Sequence, residues 1–299
     1  MAERELYLHL TSEGPKVIRD GVETLRDKVR VCFYVHGYNV SPPEGKESFD
    51  RLLENVRREA RVDSRLSVPA LDGAEAWRVY WPAFARLARD RWTLSALTYP
   101  LHARQVEDWA EVFASYLDSE FGKRNATPAE VTFVGHSLGC RLILETLRYK
   151  LQYKHRNWTV RSVLFMAAAV PVSLLEFDAR LCRAVLVPEL RFVAYSPADL
   201  VLQLAFRFGQ MFERGVLPHA VGSFGAPSVV WSKRLRTMNG HSGYFADPKT
   251  ARFIAAAIGL LAFRDIDARV IARAPGVTRA APAATSISSR GTRKRRIGE

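Results

Sequence analysis

The chain has 299 residues, 48% hydrophobic and 25% charged, and a net charge of +13. That composition excludes a wholly disordered or collagen-like chain and supplies enough apolar residues for a large core. No apolar run reaches the roughly 18 residues that a membrane span needs. The three isolated cysteines, Cys32, Cys140 and Cys182, lack C-x-x-C spacing and argue against a disulfide framework or a zinc site.

Residues 1–5 are polar and no apolar stretch follows, so no secretory leader is read and a cytoplasmic location is expected. Residues 4–10 and 16–18 alternate in polarity and are predicted to form an antiparallel edge hairpin. Residues 29–35 (VRVCFYV) are a buried-strand pattern ending in His36-Gly37-Tyr38-Asn39, followed by a turn at Pro42 and Pro43. Residues 45–60 carry Phe49, Leu52, Leu53 and Val56 at helical spacing. A strand at 77–81 stops at Pro82, and a helix over 106–121 puts Trp109, Val112, Phe113, Tyr116 and Leu117 on one side. A strand at 130–134 runs into Gly135, and 140–153 reads as a helix with Leu142, Ile143, Leu147 and Leu151 inward. Strands at 160–168, 191–195 and around 229–235, then a helix over 248–263, complete the pattern. Near-continuous apolar strands between amphipathic helices predict an α/β fold, a mostly parallel central sheet with helices on both faces. Ligands of such sheets lie beyond the carboxyl ends of the strands.

At one such end stands Gly135-His136-Ser137-Leu138-Gly139, a G-x-S-x-G string between an apolar strand and a long helix. The sharp turn exposes Ser137 in a strained backbone conformation, and the helix N-terminus favours developing negative charge. The bland reading is a serine that merely caps the helix. A hydroxyl needs a base, and the base needs an orienting acid. With this elbow the acid follows the serine and the histidine follows the acid. His241, between Gly240 and Gly243 and just before the last helix, is the chosen base; His219 and His155 are the alternatives. Asp199, after the 191–195 strand, is the chosen acid, with Glu176 and Asp178 as competitors and an N-cap role as its bland reading. Two backbone N–H groups are needed for the carbonyl oxyanion. Leu138 and Tyr38 are assigned to it, with His36, Gly37 and Asn39 supporting the loop.

Together, His36-Gly-Tyr-Asn39, the elbow, Asp199 and the Gly240–Phe245 run resemble the α/β-hydrolase superfamily. More closely, they resemble a bacterial group of uncharacterised α/β hydrolases with an HGYN loop. The likeness runs from about residue 29 to 263. It implies the α/β-hydrolase fold and one Ser-Asp-His catalytic domain without cofactor or metal. The catalytic domain is set at 29–265, and 1–28 are edge strands of that domain.

The run from 200 to 236 is apolar and reads either as a pocket wall, favouring an uncharged acyl ester, or as a packed excursion. Trp81 and Phe84 are candidate lining residues of the same pocket. Residues 275–299 carry six basic side chains against Glu299 and are predicted to be a disordered tail. The leading functional expectation is a serine hydrolase acting on a small-molecule acyl ester or thioester. The alternative is a binding protein whose tail contacts nucleic acid or another anionic partner.

Overall fold

The computed structural model describes residues 4–11, 14–20, 25, 28, 30–62, 75–82, 92–122, 128–154, 156–207 and 218–257. Its strands are β1 (Glu5–Thr11), β2 (Gly14–Asp20), β3 (Arg30–Val35), β4 (Glu75–Tyr80), β5 (Ala129–His136), β6 (Trp158–Met166), β7 (Leu190–Tyr195) and β8 (Lys233–Arg236). The helices are α1 (Pro42–Val62), α2 (Trp92–Gly122), α3 (Leu138–Gln152), the short α4 (Val221–Phe224) and α5 (Pro248–Ala257). The strands form one sheet in the order β2-β1-β4-β3-β5-β6-β7-β8. Only β2 runs antiparallel, as the edge partner of β1; every other pairing is parallel.

Strand β3 shows why both faces are covered. Successive strand residues point to opposite sides. Phe33 meets Phe113 of α2 edge-on at 5.6 Å, and its neighbour Tyr34 meets Phe49 of α1 at 4.9 Å. Helices α1 and α2 therefore lie on opposite faces; α5 joins α1, and α3 joins α2. The central strands are buried on both sides, which explains their continuous apolar sequence. Among the described residues no helix is long and apolar enough to cross a membrane.

Several boundaries differ from the sequence reading. Helix α1 begins at Pro42, because the backbone N–H and hydroxyl of Ser41 both donate to Glu44 Oε2, at 2.8 and 2.6 Å. Proline is tolerated in a first turn, where amides lack intrahelical acceptors. The amphipathic stretch read at 106–121 is the C-terminal half of the longer α2. The strand read around 229–235 is shortened because Ser228–Val230 forms a 3₁₀ turn. Leu151, expected inward, is exposed in the last turn of α3. Phe84, His155, residues 258–263 and the basic tail lie outside the described residues.

Candidate active site

Strand β5 lies between β3 and β6, and Ser137 follows its last residue. Its backbone takes φ 53° and ψ −123°, a conformation that costs about 1–3 kcal/mol for a residue with a Cβ. The surroundings hold it there. The Ser137 N–H donates to Met166 O at 3.0 Å, and its carbonyl accepts from the N–H groups of Ala169 and Cys140, both at 3.1 Å. Glycine on either side is a steric requirement. A Cβ on Gly139 would collide with the carbonyl oxygens of Val35 and His36, and one on Gly135 would lie 2.7 Å from Ile143 Cδ1. Ser137 occupies the N-cap position of α3 but makes no capping side-chain bond.

Its hydroxyl faces His241 instead. His241 Nε2 lies 3.0 Å from Ser137 Oγ, and His241 Nδ1 lies 2.9 Å from Asp199 Oδ2. A carboxylate accepts, so Nδ1 carries the proton and Nε2 is left to accept from the serine hydroxyl. Asp199 is fully buried at the end of a tight turn that follows β7. It also caps the next helical turn, with Oδ1 accepting the Leu202 N–H at 3.1 Å. Asp199 thus uses one oxygen toward His241 and the other as a cap. The competing acids Glu176 and Asp178 are exposed. His219 is also exposed, packed edge-on against Phe224.

The His36–Asn39 loop crosses directly over the elbow. A Cβ on Gly37 would sit 2.8 Å from Ser137 Cβ, so only glycine permits that approach. His36 braces the loop. Its Nε2 accepts the Trp81 N–H at 3.2 Å, its Nδ1–H donates to Gly37 O at 2.7 Å, and its carbonyl accepts the Trp81 indole N–H at 3.0 Å. Burial lowers the His36 pKa to about 4, which keeps the ring neutral as this pattern requires. Trp81, read as a pocket-lining candidate, thus serves as the brace of His36. Asn39 adopts φ 55°, a left-handed conformation that asparagine tolerates better than most residues.

Two residues that hold the site were not singled out by sequence reasoning. His136, the variable position of the elbow, is buried and donates from Nε2 to the backbone carbonyl of His241 at 2.8 Å. Its ring packs 4.9 Å from that of His241 and 4.8 Å from that of Phe245. Burial, then the neighbouring His241, lowers its pKa to about 3. Asn55 of α1 donates to Phe245 O at 2.8 Å and ties down the same loop. The only signal in sequence was a polar ring inside an otherwise apolar strand end.

An eight-stranded, mostly parallel sheet covered by helices, with a strained serine between β5 and α3, is the α/β-hydrolase fold. No protein-family model matches the chain, and no curated protein matches its sequence. Among solved structures, it is similar to an esterase from Pyrobaculum calidifontis (13% identity, TM-score 0.46, 86% of this chain and 85% of that one). Fungal esterases from Rhizomucor miehei give 12% identity and a TM-score of 0.45, over 90% of this chain and 84% of theirs. Carboxyl esterase 2 from Tuber melanosporum gives 14% and 0.42, over 90% and 92%.

Proposed function

We propose that the protein is a serine hydrolase that cleaves carboxylic esters or thioesters through an acyl-enzyme. The observation that carries this reading is the unbroken relay from Ser137 Oγ through His241 to the buried Asp199. Ser137 attacks the substrate carbonyl carbon while its proton passes to His241 Nε2. The tetrahedral oxyanion accepts hydrogen bonds from the Leu138 and Tyr38 amides. Leu138 is the first residue of α3, so its N–H has no intrahelical acceptor and stands at the positive end of the helix. Collapse of the intermediate breaks the carbonyl–oxygen (or carbonyl–sulfur) bond, and His241 returns the proton to the leaving group. Water then attacks the acyl-enzyme by the same route and releases the acid. Asp199 holds the tautomer and steadies the transient imidazolium.

The catalytic unit proposed is residues 29–265, with the edge strands of 1–28 extending its sheet. Hydrolysis of 4-nitrophenyl esters and acyl thioesters of graded chain length tests the reaction. The wild type should turn over at least one series, and Ser137→Ala should lose about 10⁴-fold or more in kcat. Equal turnover by Ser137→Ala contradicts the assignment.

A further inference from the structure

Beside Asp199 is a cavity of about 130 Å³ whose lining includes Leu202, Gln203, Arg207, His219, Ser223 and Phe224. It belongs to the same carboxyl edge of the sheet as Ser137. Leu202 donates its N–H to Asp199 Oδ1. Gly222, next to Ser223, donates to Ala168 O at 2.9 Å, and Ala169 donates to Ser137 O at 3.1 Å. Two backbone hydrogen bonds therefore link the cavity wall to the elbow.

The cavity holds two hydrogen-bonding groups that the protein leaves unused. Ser223 is 1% exposed, and its Oγ has no partner. Arg207 Nε is buried and has none either. Buried polar atoms are normally paired, and leaving them unpaired is costly. A guanidinium N–H only donates, and a serine hydroxyl can donate, so both call for an acceptor. The positive charge of Arg207 favours an anionic acceptor, and the planar fork of a guanidinium matches a carboxylate. Leu202 and Phe224 supply apolar wall for methylene groups. A cavity of about 150 Å³ accommodates benzene, so this one suits a short chain ending in a small polar group.

We infer that this cavity is a carboxylate-binding subsite, and that the ester cleaved at Ser137 has a short acyl chain ending in a carboxylate. This rests on the serine-hydrolase reading for the reaction but not for the binding. It reverses the uncharged preference suggested by the apolar run from 200 to 236, because Arg207 Nε and Ser223 Oγ, both in that run and both on residues lining the cavity, are buried without a partner.

The test compares 4-nitrophenyl hydrogen glutarate with 4-nitrophenyl pentanoate, which has the same chain length without the charge. The wild type should favour the glutarate ester by about tenfold or more in kcat/KM, the scale of one hydrogen-bonded charge. Arg207→Gln should bring that ratio close to one, and Ser223→Ala should lower it by a few-fold. A wild-type ratio of one or less, or a ratio unmoved in a folded Arg207→Gln protein, overturns the subsite. If Arg207→Gln does not fold, Ser223→Ala, which removes only a hydroxyl, decides the question. Calorimetric titration of Ser137→Ala with glutarate separates the two readings. Saturable binding that Arg207→Gln abolishes, without turnover of either ester by the wild type, leaves the subsite standing and removes the hydrolase. Turnover of the pentanoate ester without glutarate binding does the reverse.

Discussion

The serine and the histidine of the site are held in different ways. Ser137 is fixed by backbone: three main-chain hydrogen bonds, and glycines that let β3 and the His36–Asn39 loop approach. His241 lies on the loop between β8 and α5, and side chains from far away in sequence hold that loop. His136 grips the His241 carbonyl across 105 residues, and Asn55 grips Phe245 across 190. Ser137 is thus part of the sheet's rigid edge, whereas His241 is tethered to it. Perturbing the elbow should disturb folding and catalysis together; perturbing the tethers should disturb catalysis with the fold retained.

Removing the His241 imidazole is the largest expected effect of this set. His241→Ala should lower kcat by about 10⁴-fold or more, close to the loss from Ser137→Ala, with little further loss in the double variant because the two act as one unit. Steady-state kinetics on the best ester would check this, and additive losses would break it. Gly139→Ala comes next. Its new Cβ meets the backbone carbonyls of Val35 and His36, which cannot rotate away. A loss of about 1–3 kcal/mol in urea unfolding is expected together with near-complete loss of activity. Wild-type stability in that variant would show that the elbow is looser than described.

His136→Phe sharpens the contrast from the other side. It keeps a ring against Phe245 but removes the donor to the His241 carbonyl. A displaced imidazole should cost about 10–100-fold in kcat, with KM and the circular dichroism spectrum little changed. An unchanged kcat would mean the tether is dispensable.

A further effect is on acid stability. His36 and His136 titrate near 4 and 3 in the folded protein, below the usual value of about 6.5. Below about pH 6.5 the unfolded chain takes up protons at these positions while the folded rings stay neutral. Stability should therefore be complete above that pH and fall as the pH drops toward 4, with His136 contributing further loss toward 3. Thermal unfolding between pH 8 and 4 measures it, and His136→Phe should flatten the dependence.

The same contrast explains what could be read from sequence. The elbow is a local pattern, strand then G-x-S-x-G then helix, and its steric demands are carried by adjacent glycines. Chain order pointed to Asp199 and His241, and the structure brings His241 within hydrogen-bonding reach of both Asp199 and Ser137. The tethers were not legible, because nothing local relates His136 to position 241 or Asn55 to position 245. Asp199 was legible twice over, as partner of the histidine and as cap, because it has two oxygens and uses one for each. The run from 200 to 236 is apolar on average, and that average does not show that Arg207 and Ser223 line one cavity.

The most direct measurement is the site and rate of covalent labelling by a fluorophosphonate, mapped by peptide mass spectrometry. The wild type should carry the phosphonate on Ser137, His241→Ala should label far more slowly, and Ser137→Ala should not label. Labelling of Ser137→Ala at the wild-type rate, or a label on another residue, would contradict the account.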